Sequence, residues 1–129
     1  MFLIHSIDDG RNAPLEYLPA GAITPKVGLA LSQSSGLLAV ASGSTRPSYI
    51  CMTQRAAAVP SGTVIPVIRV DGDIVFETVF SASASSIKLG DKVTVASDGL
   101  RVTATKTDGV AEVVSMDGTA SGSAVRVRF

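Results

Sequence analysis

Through most of the chain apolar residues recur at every second position, the period of a β-strand with two distinct faces. Val27, Leu29 and Leu31 alternate with Gly28 and Ala30, and after the Ser34-Ser35-Gly36 turn Leu38 and Val40 resume the alternation. Pro47 opens a short strand over residues 48–53 that contains Tyr49, Ile50, Cys51 and Met52. Residues 54–58 have room for one helical turn, too little to define a fold class. Residues 63–70 and 74–80 form two longer runs joined by Asp71-Gly72-Asp73. Both are apolar on both faces; in the second, Ile74, Phe76 and Phe80 lie on one side and Val75 and Val79 on the other. Strands covered on both faces have this composition.

The last third alternates most cleanly. Val93 and Val95 lead to Asp98-Gly99, after which Leu100, Val102 and Ala104 oppose Arg101, Thr103 and Thr105. Residues 110–116 form another strand, and the final one sets Val125, Val127 and Phe129 against Arg126 and Arg128. Five Asp-Gly pairs begin at Asp9, Asp71, Asp98, Asp108 and Asp117. Asp-Gly between alternating strands signals a hairpin, because a type I′ turn needs positive φ at both central residues. The last three pairs are spaced by about ten residues, which predicts an antiparallel meander within a small barrel or sandwich. The expected fold class is all-β.

Residues 1–20 read differently. They mix charges with Pro14, Pro19 and six large apolar side chains, Phe2, Leu3, Ile4, Leu15, Tyr17 and Leu18, in no sustained period. Two prolines without a pattern predict an extended N-terminal arm, with any strand confined to its first residues. Disordered segments are normally poor in large apolar residues, so this arm is expected to pack on something. Residues 21–129 are then a single β-domain.

Composition sharpens that picture. Charged residues are only 17% of the 129, and eleven basic and eleven acidic side chains cancel to zero, while mean hydropathy is +0.38. Soluble monomers usually keep some net charge against self-association. The apolar excess therefore belongs either in a membrane or against other protein chains. A spanning helix needs about 20 predominantly apolar residues; the uncharged stretch 27–45 is broken by Ser32, Gln33, Ser34, Ser35 and Gly36, and 56–68 contains Pro60 and Pro66. No basic segment precedes Phe2, Leu3 and Ile4, so no secretory signal is expected. The lone Cys51 cannot form an intrachain disulfide. The composition points to a protein made in a cytoplasm and buried by assembly.

Catalytic chemistry has little to build on. His5 is the only histidine, and no Gly-x-Ser-x-Gly elbow occurs. Ser42-Gly43-Ser44 and Ser121-Gly122-Ser123 read as loops, and Cys51, between Ile50 and Met52, reads as a small core hydrophobe. Asp71-Gly72-Asp73 has too few acidic positions for a calcium loop and reads as a hairpin turn. No phosphate-cradling glycine motif is present. Arg126 and Arg128 share a strand face, but zero net charge and few aromatics argue against nucleic acid, leaving a solvated or interface face. No enzyme activity, metal or cofactor is expected.

Three stretches, in order, resemble the small head-decoration (capsid cement) proteins of tailed bacteriophages and prophages. They are residues 19–31 (Pro-Ala-Gly-Ala-Ile-Thr-Pro-Lys-Val-Gly-Leu-Ala-Leu) followed by Ser35-Gly36-Leu37-Leu38; Arg46-Pro47-Ser48-Tyr49-Ile50-Cys51-Met52; and residues 87–95 with Gly90-Asp91 before Val93, the chain closing over residues 118–129. The resemblance covers about residues 18–129. It implies a small antiparallel β-barrel or β-tulip-like domain with an N-terminal arm reaching neighbouring subunits, without catalytic residues. It also implies a protein on the virion exterior that stabilises the expanded lattice, with the major capsid protein and neighbouring copies as partners, commonly in a homotrimer. In that setting Phe2, Leu3, Ile4, Leu15, Tyr17 and Leu18 are the expected capsid or subunit contacts. Many such proteins are more acidic, which leaves room for another self-assembling virion part: a head fibre base, neck or tail-tube protein. A glycan-binding β-sandwich is a further alternative, disfavoured by the absence of Trp and the presence of only Tyr17 and Tyr49.

Overall fold

The computed structural model describes residues 1–10 and 12–129; Arg11, one of the charges of the expected arm, lies outside the described residues. Ten strands carry the fold: β1 (Leu3–Ile7), β2 (Leu15–Ala20), β3 (Ala30–Ser34), β4 (Leu37–Val40), β5 (Tyr49–Cys51), β6 (Thr63–Arg69), β7 (Ile74–Val79), β8 (Lys92–Val93), β9 (Ala111–Met116) and β10 (Ala124–Arg128). The only helical element among the described residues is a 3₁₀ turn at Asp8–Gly10. Residues 54–58, where a helical turn had room, form no helix. The chain is nearly all β.

The strands divide between two sheets rather than forming one barrel over residues 21–129. β2, β4, β3, β5 and β6 pair in a closed ring, and β1, β7, β10, β9 and β8 form an open sheet in that order. The chain thus begins in the open sheet, builds the ring and returns. Alternation explains two cores. Inward positions of the ring strands, among them Leu31, Leu38, Tyr49, Cys51, Ile65 and Val67, fill the ring. Outward positions Ala30, Ile50 and Ile68 instead join Phe76, Phe80 and Val127 of the open sheet in a second core. β5 is apolar on both faces because each face meets a different core, while on the outer face of β6 only Ile68 reaches the second core.

Two turn expectations change. Positive φ at both central residues occurs at Ser35 (52°) and Gly36 (79°), joining β3 to β4, and not at Asp71, Asp98, Asp108 or Asp117 with their following glycines. Asp71-Gly72-Asp73 is not a hairpin turn: β6 belongs to the ring and β7 to the open sheet, so this segment turns a corner between sheets. The Asp71 carboxylate accepts the Asp73 N–H at 2.9 Å there, an Asx turn that needs no strand pairing. Asp98-Gly99 does reverse the chain, but between residues joined by a single antiparallel bridge, Val95 to Val102.

The N-terminal segment also differs from a free arm. β1 pairs antiparallel with β7 across a bulge at His5. β2 pairs residue by residue with β6, from Leu15 opposite Ile68 to Ala20 opposite Thr63. Strand is therefore not confined to the first residues. Pro19 is tolerated inside β2 because the other edge of that strand meets β4 at one pair only, Ala20 with Leu38, and an almost unpaired edge does not need the missing N–H.

Candidate assembly surface

The structure separates the six expected contact residues into three groups. Phe2 is 1% exposed. Its ring meets Phe129 edge-on at 5.4 Å, and Phe129 in turn lies 5.8 Å from Phe76. Its N–H donates to the Gly28 carbonyl at 2.9 Å. Phe2 is thus an internal anchor that ties the chain start to both sheets, and it is not available to a partner. Leu18 is half-buried against the ring core. The other four are exposed: Leu3 (45%) and Ile4 (40%) on β1, Leu15 (50%) and Tyr17 (64%) on β2.

Register shows what surrounds the β2 pair. Leu15, Tyr17 and Pro19 point away from the ring interior and stand opposite Ile68, Pro66 and Val64 of β6. All six outward positions of the two strands are apolar. Ile68 is covered by the open sheet, whereas Val64 is 56% exposed. Sequence reasoning missed Val64 and Pro66. Their alternation with Ile65 and Val67 marks a strand apolar on both faces, and only the structure shows that half of the outer face has no cover.

Charged groups border this face rather than crossing it. Arg69 sits at one end, where its guanidinium holds Glu16 in a two-pronged pair, Nε to Oε2 at 3.0 Å and Nη2 to Oε1 at 2.8 Å. It also lies over the Tyr49 ring, 5.1 Å from its centre. The hydrogen bonds to Glu16 raise the Arg69 pKa further above its already high value. At the other end the loops on either side of the ring meet through Arg55 N–H to the Pro25 carbonyl and Val59 N–H to the Ile23 carbonyl. Lys26 and Arg55, both exposed, stand on these loops.

The remaining polar groups form a second surface, the outer face of the open sheet. Arg126 on β10 bonds Asp117 at 2.6 Å and Glu77 at 2.9 Å, and Arg128 bonds Asp8 at 2.9 Å and the Gly72 carbonyl at 2.8 Å. The arginine face foreseen in the sequence is therefore largely neutralised within the chain. The hydrogen bond from Arg126 holds the Asp117 carboxyl below its ordinary pKa. Glu112, exposed on β9, enters no ion pair with a described residue.

Cys51 is buried inside the ring, where desolvation pushes its thiol pKa up, opposite to what a nucleophile needs. No three His, Cys, Asp or Glu side chains among the described residues converge to hold a metal. A cleft of about 250 Å³ is lined by Ile7, Asn12, Ala13, Pro14, Asp71, Ile74 and the mutually paired Glu16 and Arg69. Among the described residues no helix is long and apolar enough to cross a membrane. The fold and surface therefore define a nearly all-β chain with a bare apolar face. No protein-family model matches it, and comparison with curated proteins finds no relative.

Proposed function

We propose that this chain is a structural virion protein that binds the outside of a phage capsid lattice and stabilises it, a decoration or cement protein rather than an enzyme. The supporting observation is that four of the six side chains expected as contacts, Leu3, Ile4, Leu15 and Tyr17, stand exposed on strands whose backbone is fixed within the chain. Leu15 and Tyr17 adjoin Pro66 and the exposed Val64 of β6, and contiguous exposed apolar surface marks an interaction site. The ring of strands with its adjoining sheet fits the β-tulip-like domain that the resemblance implies. On this reading the partners are the major capsid protein and neighbouring copies of the chain, assembled as a homotrimer on the virion exterior. Contacts come from β1 and β2 as rigid strands, with Phe2 and Leu18 supporting them from within.

The test is binding to purified heads of the cognate phage. The protein should bind expanded empty heads and raise their melting temperature, and Leu3→Asp with Ile4→Asp should weaken that binding while the isolated protein melts as before. Equal affinity for unexpanded proheads, or no affinity for either form, would overturn the proposal.

A further inference from the structure

Among Asp71, Asp98, Asp108 and Asp117, each followed by glycine, the structure holds three carboxylates and leaves one free (the Asp9 side chain lies outside the described residues). Asp71 accepts the Asp73 N–H at 2.9 Å. Asp98 accepts the Leu100 N–H at 2.9 Å and Nε of Arg101 at 2.8 Å. Asp117 is clasped by both terminal nitrogens of Arg126, at 2.6 and 3.2 Å. Asp108 differs: it is exposed, and its carboxylate enters no hydrogen bond or ion pair with a described residue. It also has φ 53°, a left-handed conformation uncommon outside glycine. The next nitrogen, that of Gly109, donates to the Lys106 carbonyl at 3.1 Å.

We propose that Asp108-Gly109 is a modification site: the folded chain isomerises there to isoaspartate ahead of the pairs at Asp71, Asp98 and Asp117, and the product loosens β8 from β9. The Gly109 nitrogen attacks the Asp108 Cγ. A C–N bond forms, a carboxyl C–O bond breaks, and the amide proton leaves with the oxygen as water, giving a five-membered succinimide. Water then adds to one ring carbonyl. Opening at Cγ restores aspartate; opening at the main-chain carbonyl leaves the chain running through Cγ, which is isoaspartate. Water lost in the first step is regained in the second, and no oxidant, reductant or cofactor takes part. The attack needs a neutral carboxyl free to turn onto its own main chain, and hydrogen bonds to a charged carboxylate keep it ionised and fixed. Those bonds exist at Asp71, Asp98 and Asp117 but not at Asp108. The product inserts a methylene into the main chain just before Gly109. That glycine has no room to shift, because even a Cβ on it would collide with the main chain of Lys92 and Val93. Val110 follows at once and donates its N–H to the Val93 carbonyl at 3.0 Å. β8 is held to β9 by two residue pairs alone, Lys92 with Glu112 and Val93 with Ala111, so moving the entry to β9 releases it. The reaction needs no partner and stands whether or not the chain binds capsids.

The test is to age the full chain at about pH 5, where part of the carboxyl population is protonated. Isoaspartate is then measured by methylation with an isoaspartyl methyltransferase and placed by fragmenting the proteolytic peptides. In the native chain it should accumulate at Asp108 several-fold faster than at Asp71, Asp98 or Asp117. In denaturant the four rates should draw together, since each site is Asp-Gly and the fold alone separates them. Asp108→Glu, which would have to close a six-membered ring, should remove the product at that position. In the aged chain, hydrogen exchange should quicken at the Gly90, Val110 and Val113 amides, which bond between the β8 segment and the β9 segment, while ring amides keep their protection. A native chain without isoaspartate at Asp108, equal rates at any of the other three, or the same ranking in denaturant would overturn the site. Unchanged exchange at those three amides in the isomerised chain would overturn its effect on β8.

Discussion

At the scale of single residues, the backbone sets the narrowest tolerances. Gly28 has φ +81°, and a Cβ there would collide with Met1 and the Phe2 main chain. Gly28→Ala therefore combines left-handed strain with the loss of the Phe2 seat, and should cost at least about 2 kcal/mol in chemical denaturation. Gly36, with similar φ but open space around it, should cost less. Cys51 reports on the ring interior. Burial and a raised pKa reduce its thiolate, so alkylation of the native protein should be at least about tenfold slower than in denaturant; equal rates would mean that the ring opens readily. Burial pushes the Asp98 carboxyl up, but the Leu100 N–H at 2.9 Å and the Arg101 guanidinium at 2.8 Å outweigh it, and its pKa is lowered. A carboxyl lower in the folded than in the unfolded state stabilises fully above its unfolded pKa and loses that contribution as pH falls through the folded one. Asp98→Asn should accordingly flatten the fall in melting temperature between about pH 5 and pH 2. An unchanged acid limb would show that Asp98 contributes nothing there.

At the scale of elements, β1 is the strand whose role changed most. It belongs to the open sheet but is separated from β7 in sequence by the whole ring, and Phe2 beside it is sealed between Phe129 and Gly28. Phe2→Ala should cost about 3–5 kcal/mol, and deleting residues 1–7 should expose the second core instead of leaving a folded remainder, as a lost near-ultraviolet dichroism signal would reveal. A native-like truncated protein would return this segment to the status of an arm. Part of the two-residue period was legible in the chain: β4 and β10 fall where alternation placed them and β7 and β9 where apolar runs did, whereas β3 starts at Ala30 instead of Val27 and the alternating residues 100–105 form only isolated bridges at Val102. The two-residue turn at Ser34-Ser35-Gly36 was legible too. β2 was not, because Pro14, Pro19 and an outward face as apolar as the inward one erase the alternation that identifies a strand. The same lack of contrast hid Val64. Asp71-Gly72-Asp73 was misplaced because turn residues announce a change of direction without saying whether the next strand pairs with the last. Of the exposed face, Leu15 and Tyr17 were readable as large apolar side chains in an unpatterned segment, but their β6 neighbours depend on a pairing between residues some fifty positions apart, which no local signal encodes.

At the scale of the whole molecule, the question is whether ring and open sheet fold as one body. Each has its own pattern of pairing, as two independent units would. Packing argues otherwise. Ala30, Ile50 and Ile68 come from ring strands yet are buried in the core dominated by the open sheet, so removing the sheet would bare the outer wall of the ring. Phe2 adds a main-chain hydrogen bond to Gly28 across the same boundary. Further bonds join the Gly43 N–H to the Val95 carbonyl at 2.7 Å and the Ala30 N–H to the Gly99 carbonyl at 2.8 Å. A shared core couples the two halves, and coupled halves of a chain this size unfold together. Calorimetry should therefore show one transition with equal calorimetric and van't Hoff enthalpies. Ile68→Ala, which opens a cavity at the junction, should cost about 2–5 kcal/mol of stability and lower the melting temperature without splitting the peak. Two resolved transitions in the wild type, or in that variant alone, would mean that the ring stands without the sheet.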